Sequence, residues 1–200
     1  MRFVCLQSLF KLLPRQDALI ARIAARVAEA RFLFISHRSQ GITELYKARL
    51  ERTFGEAGVD PRGRIHFLPP LKYGEFLGLA RQADVILDSV GWSGGNTTLE
   101  ALTFAKPVVT LPGDNLRGRH TMAILLRIGV TETIARDEDH YVELAVRLAE
   151  DAAWHGQVAE RMNRQKGLAY GDKTCVRSLE AALQGMIEDG AGHSGPSSGR

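Results

Sequence analysis

Short apolar runs alternate with amphipathic segments along most of this 200-residue chain, and this alternation limits the possible folds more than any other feature. Five apolar runs have the length of strands: residues 2–6, 31–36, 64–68, 84–88 and 107–111, with a shorter one at 131–134. Helices are predicted at 16–30, 44–56, 73–81, 98–105 and 119–128. Strands that alternate with helices predict an α/β fold, in which right-handed β-α-β units form a parallel sheet with helices on both faces.

The last part of the chain has a different pattern. Helical periodicity continues over 139–188 without a further strand, so we assign residues 1–188 to one domain whose C-terminal part is helical. The final segment, 189–200, is rich in Gly, Ser and Pro and has too few apolar residues to bury a core. We therefore expect residues 189–200 to be disordered.

Composition excludes several classes of protein. No apolar run approaches the roughly 20 residues that a bilayer span requires, so no membrane partner is expected. The two cysteines, Cys5 and Cys175, lie far apart without metal-ligand spacing, which favours a cytoplasmic location. The net charge of +3, without a dense Lys/Arg stripe, argues against binding of nucleic acid.

A glycine-rich turn within residues 88–100 (DSVGWSGGNTTLE) is the strongest candidate for a ligand site. It follows a predicted parallel strand, and ligands of such sheets bind at the carboxyl ends of the strands. Its glycines allow close approach to the backbone, and the next residues offer N–H and hydroxyl groups to an anion such as a diphosphate. The residues concerned are Gly94, Gly95, Asn96, Thr97 and Thr98. The alternative is a simple capping box, because Thr97 and Glu100 have its spacing.

Basic residues follow two other predicted strands. Lys11 comes just after the first strand, at the same expected sheet edge as the glycine-rich turn, and its ammonium group suits a phosphate. Taken alone, such a lysine is more often a solvated surface residue. Arg117 and Arg119 follow the fifth strand; for Arg117 we favour a surface pair with Asp114 over a ligand contact, and the role of Arg119 stays open.

Several motifs of enzyme sites are missing. There is no GxGxxG for a nicotinamide or flavin, no HExxH or HxxxH for zinc, and no GxSxG for a hydrolase. Asp137-Glu138-Asp139 has the D-x-D pattern of some metal sites, but it directly precedes a helical pattern. We interpret it as the acidic start of that helix, which the helix dipole favours.

The motifs, in their order along the chain, resemble a known family. They are QSLFK (7–11), RIHFLP (64–69), ADVILD (83–88), GGNTTLEAL (94–102) and KPVVTLPG (106–113), followed by an arginine. Together they are similar to the C-terminal half of the catalytic region in the O-linked N-acetylglucosamine transferases, the SPINDLY-like proteins of bacteria. The resemblance covers about residues 3–149. It implies a GT-B architecture of two Rossmann-like domains, of which this chain would be the C-terminal, donor-binding one.

The same resemblance implies roles for single residues. Lys11 matches the lysine that contacts the donor diphosphate, and we assign it the catalytic role. The turn at Asn96, Thr97 and Thr98 matches a threonine-rich turn beside the phosphates, and Glu100 matches a carboxylate that holds the ribose. The base pocket and the rest of the donor site are expected to use Gln7, Phe67, Leu68, Phe76, Gly94, Gly95 and Arg119.

The implied reaction is transfer of a sugar from a UDP-sugar, above all UDP-N-acetylglucosamine, to a Ser or Thr hydroxyl of a protein, with no metal or other cofactor. The acceptor protein would bind through an N-terminal domain missing from this chain, so we expect the chain alone to bind the nucleotide sugar and to transfer little. Its exposed cleft face predicts a homodimer or pairing with another chain. The alternatives are a non-catalytic nucleotide-binding or scaffold domain, and another GT-B enzyme such as a sugar-nucleotide epimerase.

Overall fold

A five-stranded parallel sheet forms the centre of the fold. The computed structural model describes residues 1–192, with side chains up to residue 188. The strands are β1 (Arg2–Cys5), β2 (Arg31–Ile35), β3 (Ile65–Leu68), β4 (Val85–Leu87) and β5 (Val108–Val109). All neighbouring pairs are parallel, in the order β3-β2-β1-β4-β5. The five predicted strands are confirmed, whereas the run at 131–134 makes only a single parallel bridge, between Thr110 and Ile134.

Four helices connect successive strands: α1 (Pro14–Arg26), α2 (Gln40–Glu56), α3 (Tyr73–Gln82) and α4 (Asn96–Leu102). Helix α5 (His120–Arg127) follows β5. Short 3-10 helices occur at Leu9–Lys11, Leu116–Gly118 and Lys166–Ala169. Helix α1 begins two residues before the predicted start because Pro14 occupies its first turn, where proline needs no N–H partner. It ends earlier than predicted because Val27 adopts an extended backbone.

The strand order creates a crevice between β1 and β4. The chain moves outward in one direction from β1 to β2 and β3, and in the other from β4 to β5. At this reversal, Val4 of β1 is in register with Ile86 of β4, so the segments that leave these two strands begin side by side. Ligands of doubly wound sheets bind at such a reversal.

Aromatic side chains fill the core between the sheet and α2. Phe3 stacks on Phe32 with ring centroids 5.3 Å apart, and Phe34 stacks on Phe67 at the same distance. Tyr46 of α2 meets the edge of the Phe34 ring. Burial of one such side chain contributes about 1.5–3 kcal/mol, so this cluster anchors β1, β2 and β3 to α2.

The part of the chain after β5 is mostly helical. Helices α6 (Glu138–Glu150) and α7 (Ala152–Gln165) belong to a compact unit of residues 1–169, and α8 (Thr174–Gly192) belongs to a second unit, 170–200. The predicted tail thus begins inside α8, and its residues 193–200 lie outside the described residues. The carboxylate of Asp137 accepts a hydrogen bond from His140 N at 2.7 Å, which confirms the acidic run as a helix start.

Candidate functional site

A chain of polar contacts joins the carboxyl ends of β1 and β4. Lys11, at the end of the first 3-10 helix, donates from Nζ to Oε1 of Gln7 at 3.2 Å. Gln7 in turn donates from Nε2 to Oγ1 of Thr97, in the first turn of α4. The predicted lysine and the glycine-rich turn therefore lie at the same edge of the sheet, as parallel strands require.

Close packing explains the glycine at the centre of the turn. A Cβ atom on Gly94 would lie 2.5 Å from Oγ1 of Thr98 and 2.8 Å from both Nε2 of Gln7 and Oγ1 of Thr97. The N-cap of α4 is Gly95, and no side chain caps this helix. The capping box predicted from Thr97 and Glu100 is therefore not formed, and the Thr97 hydroxyl faces Gln7 instead.

Thr98 points in a different direction from Thr97. Its hydroxyl donates to the carbonyl oxygen of Gly94 at 2.9 Å and lies 2.9 Å from Oγ1 of Thr121 in α5. Only 6% of Thr98 is exposed. Its side chain therefore holds the turn from inside, which leaves Thr97 as the threonine whose side chain reaches the crevice.

A cavity of about 390 Å³ opens beside these residues, within the range of small-ligand sites. Gln7, Phe76 and Thr97 line it, as the sequence predicted. Two predicted members of the base pocket, Phe67 and Leu68, do not line the cavity. Phe67 stacks on Phe34 in the core, and Leu68 also lies outside the lining; Pro70 and Leu71, which follow β3, form the apolar wall with Phe76.

Three further residues of the site, which were not predicted from the sequence, follow β2. Ser36, His37 and Arg38 line the same cavity because β2 also ends at this edge of the sheet. The His37 ring meets Phe10 edge-on with centroids 6.1 Å apart, and its Nδ1 accepts a hydrogen bond from Ser39 N at 3.0 Å. The signal was available, since a polar SHR segment directly follows a predicted strand.

An exposed indole lies between two cations at the rim of the site. The Lys11 ammonium is 5.2 Å from the centroid of the Trp92 ring, and the Arg117 guanidinium is 5.5 Å from it. The backbone oxygen of Arg117 accepts from Ser93 N at 2.8 Å, which fastens this loop to the glycine-rich turn. The predicted pair between Arg117 and Asp114 is not formed between these two described residues.

The remaining predicted residues lie at the edge of the site. Gly95 and Asn96 begin α4 next to Thr97, and Glu100 follows one turn later, partly exposed. Arg119 is exposed at the N-cap of α5. None of these four lines the cavity.

Two buried acidic groups lie below the site. Asp88 follows β4 and Cys5 ends β1, and burial raises the pKa of each side chain. Cys5 is thus an unreactive core thiol. Among the described side chains, no three His, Cys, Asp or Glu residues are grouped to hold a metal ion. No helix within residues 1–192 has the length and apolar character needed to span a membrane.

Comparison with known proteins places this site in a family. The model of glycosyl transferase family 41 matches residues 2–170. The chain belongs to this family. A UDP-N-acetylglucosamine–peptide N-acetylglucosaminyltransferase of Caenorhabditis elegans is 30% identical over 150 residues, which are 75% of this chain and 12% of that protein. The probable UDP-N-acetylglucosamine–peptide N-acetylglucosaminyltransferase SPINDLY of Petunia hybrida is 28% identical over 150 residues, which are 74% of this chain and 16% of that protein.

A protein of known structure has the same fold as this family 41 chain. A point mutant of the Thermobaculum terrenum O-GlcNAc transferase superposes with a TM-score of 0.81 at 29% identity, over 94% of this chain and 36% of that one. With the parallel sheet, this match confirms the predicted Rossmann-like fold of a GT-B glycosyltransferase. The chain spans about one eighth to one sixth of the curated relatives it matches.

Proposed function

We propose that these residues form the donor-binding part of a family 41 enzyme that transfers N-acetylglucosamine from UDP-N-acetylglucosamine to Ser or Thr of a protein. The contact chain from Lys11 through Gln7 to Thr97 carries the proposal, because it sets an ammonium group and a helix start at the crevice where donors of such sheets bind. The names of the relatives support the donor and the type of acceptor.

Different parts of the donor would bind to the cavity and to the chain of contacts from Lys11 to Thr97. The base would occupy the cavity, which is lined by the aromatic side chains of Phe76 and His37 and by the apolar side chains of Pro70 and Leu71. The diphosphate would then lie over Gln7 and Thr97. The sugar would then lie toward Trp92, beyond the diphosphate and away from the base.

The proposed reaction needs stabilisation of negative charge. The Ser or Thr oxygen bonds to the anomeric carbon of the sugar as the bond from that carbon to the diphosphate oxygen breaks, and the hydroxyl proton passes to a base outside these residues. Charge develops on the departing UDP. Lys11 and the free N–H groups at the start of α4 would stabilise that charge, and we propose that they do so without a metal ion.

The acceptor protein would bind elsewhere in the enzyme. Phe10 and Trp92 are 60% and 43% exposed beside the proposed diphosphate position. We propose that an opposing domain, or a separate chain or second copy in its place, covers these side chains and brings the acceptor hydroxyl to the sugar. The 200-residue chain alone would then bind the donor and transfer little.

Nucleotide titration of the chain tests the proposal. The chain has two tryptophans, so a Trp154→Phe variant leaves Trp92, next to Lys11, as the fluorescent reporter. UDP and UDP-N-acetylglucosamine should change its emission and release heat in calorimetry, whereas GDP should bind more weakly. Absence of binding by all three nucleotides would contradict the proposal and favour a scaffold domain.

A further inference from the structure

The side chain of Asp88 is a buried carboxylate that accepts three hydrogen bonds. Only 4% of the residue is exposed. Its side chain accepts from Ser93 Oγ at 2.6 Å, from Gly94 N at 2.8 Å and from Thr110 Oγ1 at 2.7 Å. Its own carbonyl oxygen accepts from the Tyr141 hydroxyl at 2.9 Å. The carboxylate thus joins the end of β4 to the glycine-rich turn and to the end of β5.

The donors to Asp88 extend the network to α5. Ser93 Oγ also accepts from Thr121 N at 2.9 Å, and the carbonyl oxygen of Gly94 accepts from Thr121 Oγ1 at 3.0 Å. Both ends of the Ser93–Gly94 peptide segment are therefore held, on one side by Asp88 and on the other by α5. The position of this segment depends on the carboxylate.

The same segment supports the proposed phosphate contacts. Gly94 packs so closely against Nε2 of Gln7 and Oγ1 of Thr97 that no Cβ fits between them. A small shift of Gly94 would therefore move the hydrogen bond between Gln7 and Thr97, and with it the Gln7 oxygen that holds Lys11. The position of Lys11 depends indirectly on Asp88, although the two side chains have no contact of their own.

A contribution to folding stability does not explain why the carboxylate of Asp88 is buried at this place. No cation pairs with the Asp88 carboxylate in the described part of the chain, and a buried charge without a counter-ion is costly even when it is hydrogen-bonded. Burial raises the pKa of Asp88 while the hydrogen bonds from Ser93, Gly94 and Thr110 oppose that shift. The ionised side chain accepts from all three donors, whereas a protonated one would turn an O–H group toward one of them.

We propose that Asp88 is a positioning residue, which fixes the Ser93–Gly94 segment so that Gln7, Thr97 and Lys11 meet the diphosphate of the donor. The proposal rests on the proposed function. It predicts that loss of the carboxylate weakens binding of the phosphates of the ligand and leaves binding of its base unchanged. Asp88→Asn keeps the shape of the side chain but replaces one acceptor oxygen by a donor, so the three donors can no longer all be satisfied.

Affinities for UDP and for uridine, measured by calorimetry on the 200-residue chain, test this role. Asp88→Asn should lower the ratio of UDP affinity to uridine affinity by about tenfold, because only UDP carries phosphates. A control should leave that ratio unchanged. Asp84→Asn makes the same replacement at the other end of β4, away from the turn.

The outcomes separate the two proposals. A wild-type chain that binds neither ligand would overturn the proposed function. A wild-type chain that binds UDP, with an unchanged ratio in Asp88→Asn, would overturn only the positioning role, as would equal losses for UDP and uridine. If Asp88→Asn does not fold, Ser93→Ala is the second test, because it removes one hydrogen bond between the turn and the carboxylate. Ser93→Ala should lower the ratio of UDP affinity to uridine affinity, but by less than Asp88→Asn. An unchanged ratio in Ser93→Ala would overturn the positioning role.

Discussion

The ammonium group of Lys11 lies 3.2 Å from the side-chain oxygen of Gln7, four residues earlier in the sequence. This contact holds a flexible cationic side chain over the crevice instead of leaving it in solvent. Because Gln7 also binds Thr97, the lysine after β1 and the turn after β4 form one unit. We propose that this unit contacts the diphosphate of a nucleotide-sugar donor.

Replacement of Lys11 should weaken diphosphate binding selectively. A hydrogen bond from a charged group is worth about 1.5–3 kcal/mol, so Lys11→Ala should lower UDP affinity by about tenfold to a hundredfold and leave uridine affinity unchanged. In the complete enzyme the loss in kcat should be about 10²–10³. The control is Lys47→Ala, which removes the same charge from α2, where Lys47 faces Glu51. Equal UDP affinity in the two variants would remove Lys11 from the site.

A methyl group at Gly94 should disrupt both the fold and the site. Gly94→Ala forces Thr98, Gln7 and Thr97 apart, and overpacking of this kind costs about 1–3 kcal/mol. Urea denaturation should show that loss, and calorimetry should show weaker UDP binding. Gly156→Ala is the matched control, since Gly156 is exposed in α7 with open space around its Cβ position. It should stabilise the chain slightly, because alanine favours a helix; a similar gain at Gly94 would contradict the described packing.

The ion pair between Asp84 and Arg2 should make stability depend on acid pH. Burial alone would raise the pKa of Asp84, but the hydrogen bonds and charge of Arg2 outweigh it and lower the pKa. The stabilisation is therefore present above the unfolded pKa of about 3.9 and is lost as pH falls through the folded one. Asp84→Asn should cost up to about 1 kcal/mol at neutral pH, since the pair is partly exposed. In urea denaturation the difference between wild type and variant should shrink as pH falls below about 3.9; a difference that stays constant with pH would contradict the assignment.

Arg49 should be essential for the segment that carries Lys11. Its guanidinium binds the carboxylate of Asp17, whose side chain is 1% exposed, and the carbonyl oxygen of Leu12. Burial raises the pKa of Asp17, and Arg49 opposes this shift. Arg49→Met leaves a buried carboxylate unpaired and should cost about 3–5 kcal/mol. Thermal unfolding measures the loss, and the double variant with Asp17→Asn should recover part of it; no recovery would show that the Leu12 contact dominates.

Local patterns were enough for the main elements and for part of the site. All five strands were predicted within two residues at each end, because buried parallel strands have continuous apolar runs. Asp137 was identified as a helix start from its position before an amphipathic pattern. The contact between the Lys11 and Thr97 segments followed from topology, since the carboxyl ends of parallel strands share one edge.

Side-chain direction could not be predicted in the same way. Phe67 was expected in the base pocket, but it faces the core, where Phe34 and Tyr46 cover it. Thr97 and Thr98 are adjacent and chemically identical, yet a helix turns them about 100° apart, one toward the crevice and one inward. Arg117 was expected beside Asp114 and instead lies over Trp92, a contact between loops that leave different strands.

The order of apolar runs, glycines and charged residues along this chain dictates a parallel α/β sheet and the family to which it belongs, because these are properties of neighbouring residues. The role of Asp88 emerges only in the folded molecule. Its partners Ser93 and Thr110 lie in the turn and at the end of β5, and Thr121, which binds Ser93, lies at the start of α5. Nothing in the spacing of these residues marks them as one network. Packing of three elements around one carboxylate brings them together, and that packing is decided by the whole sheet.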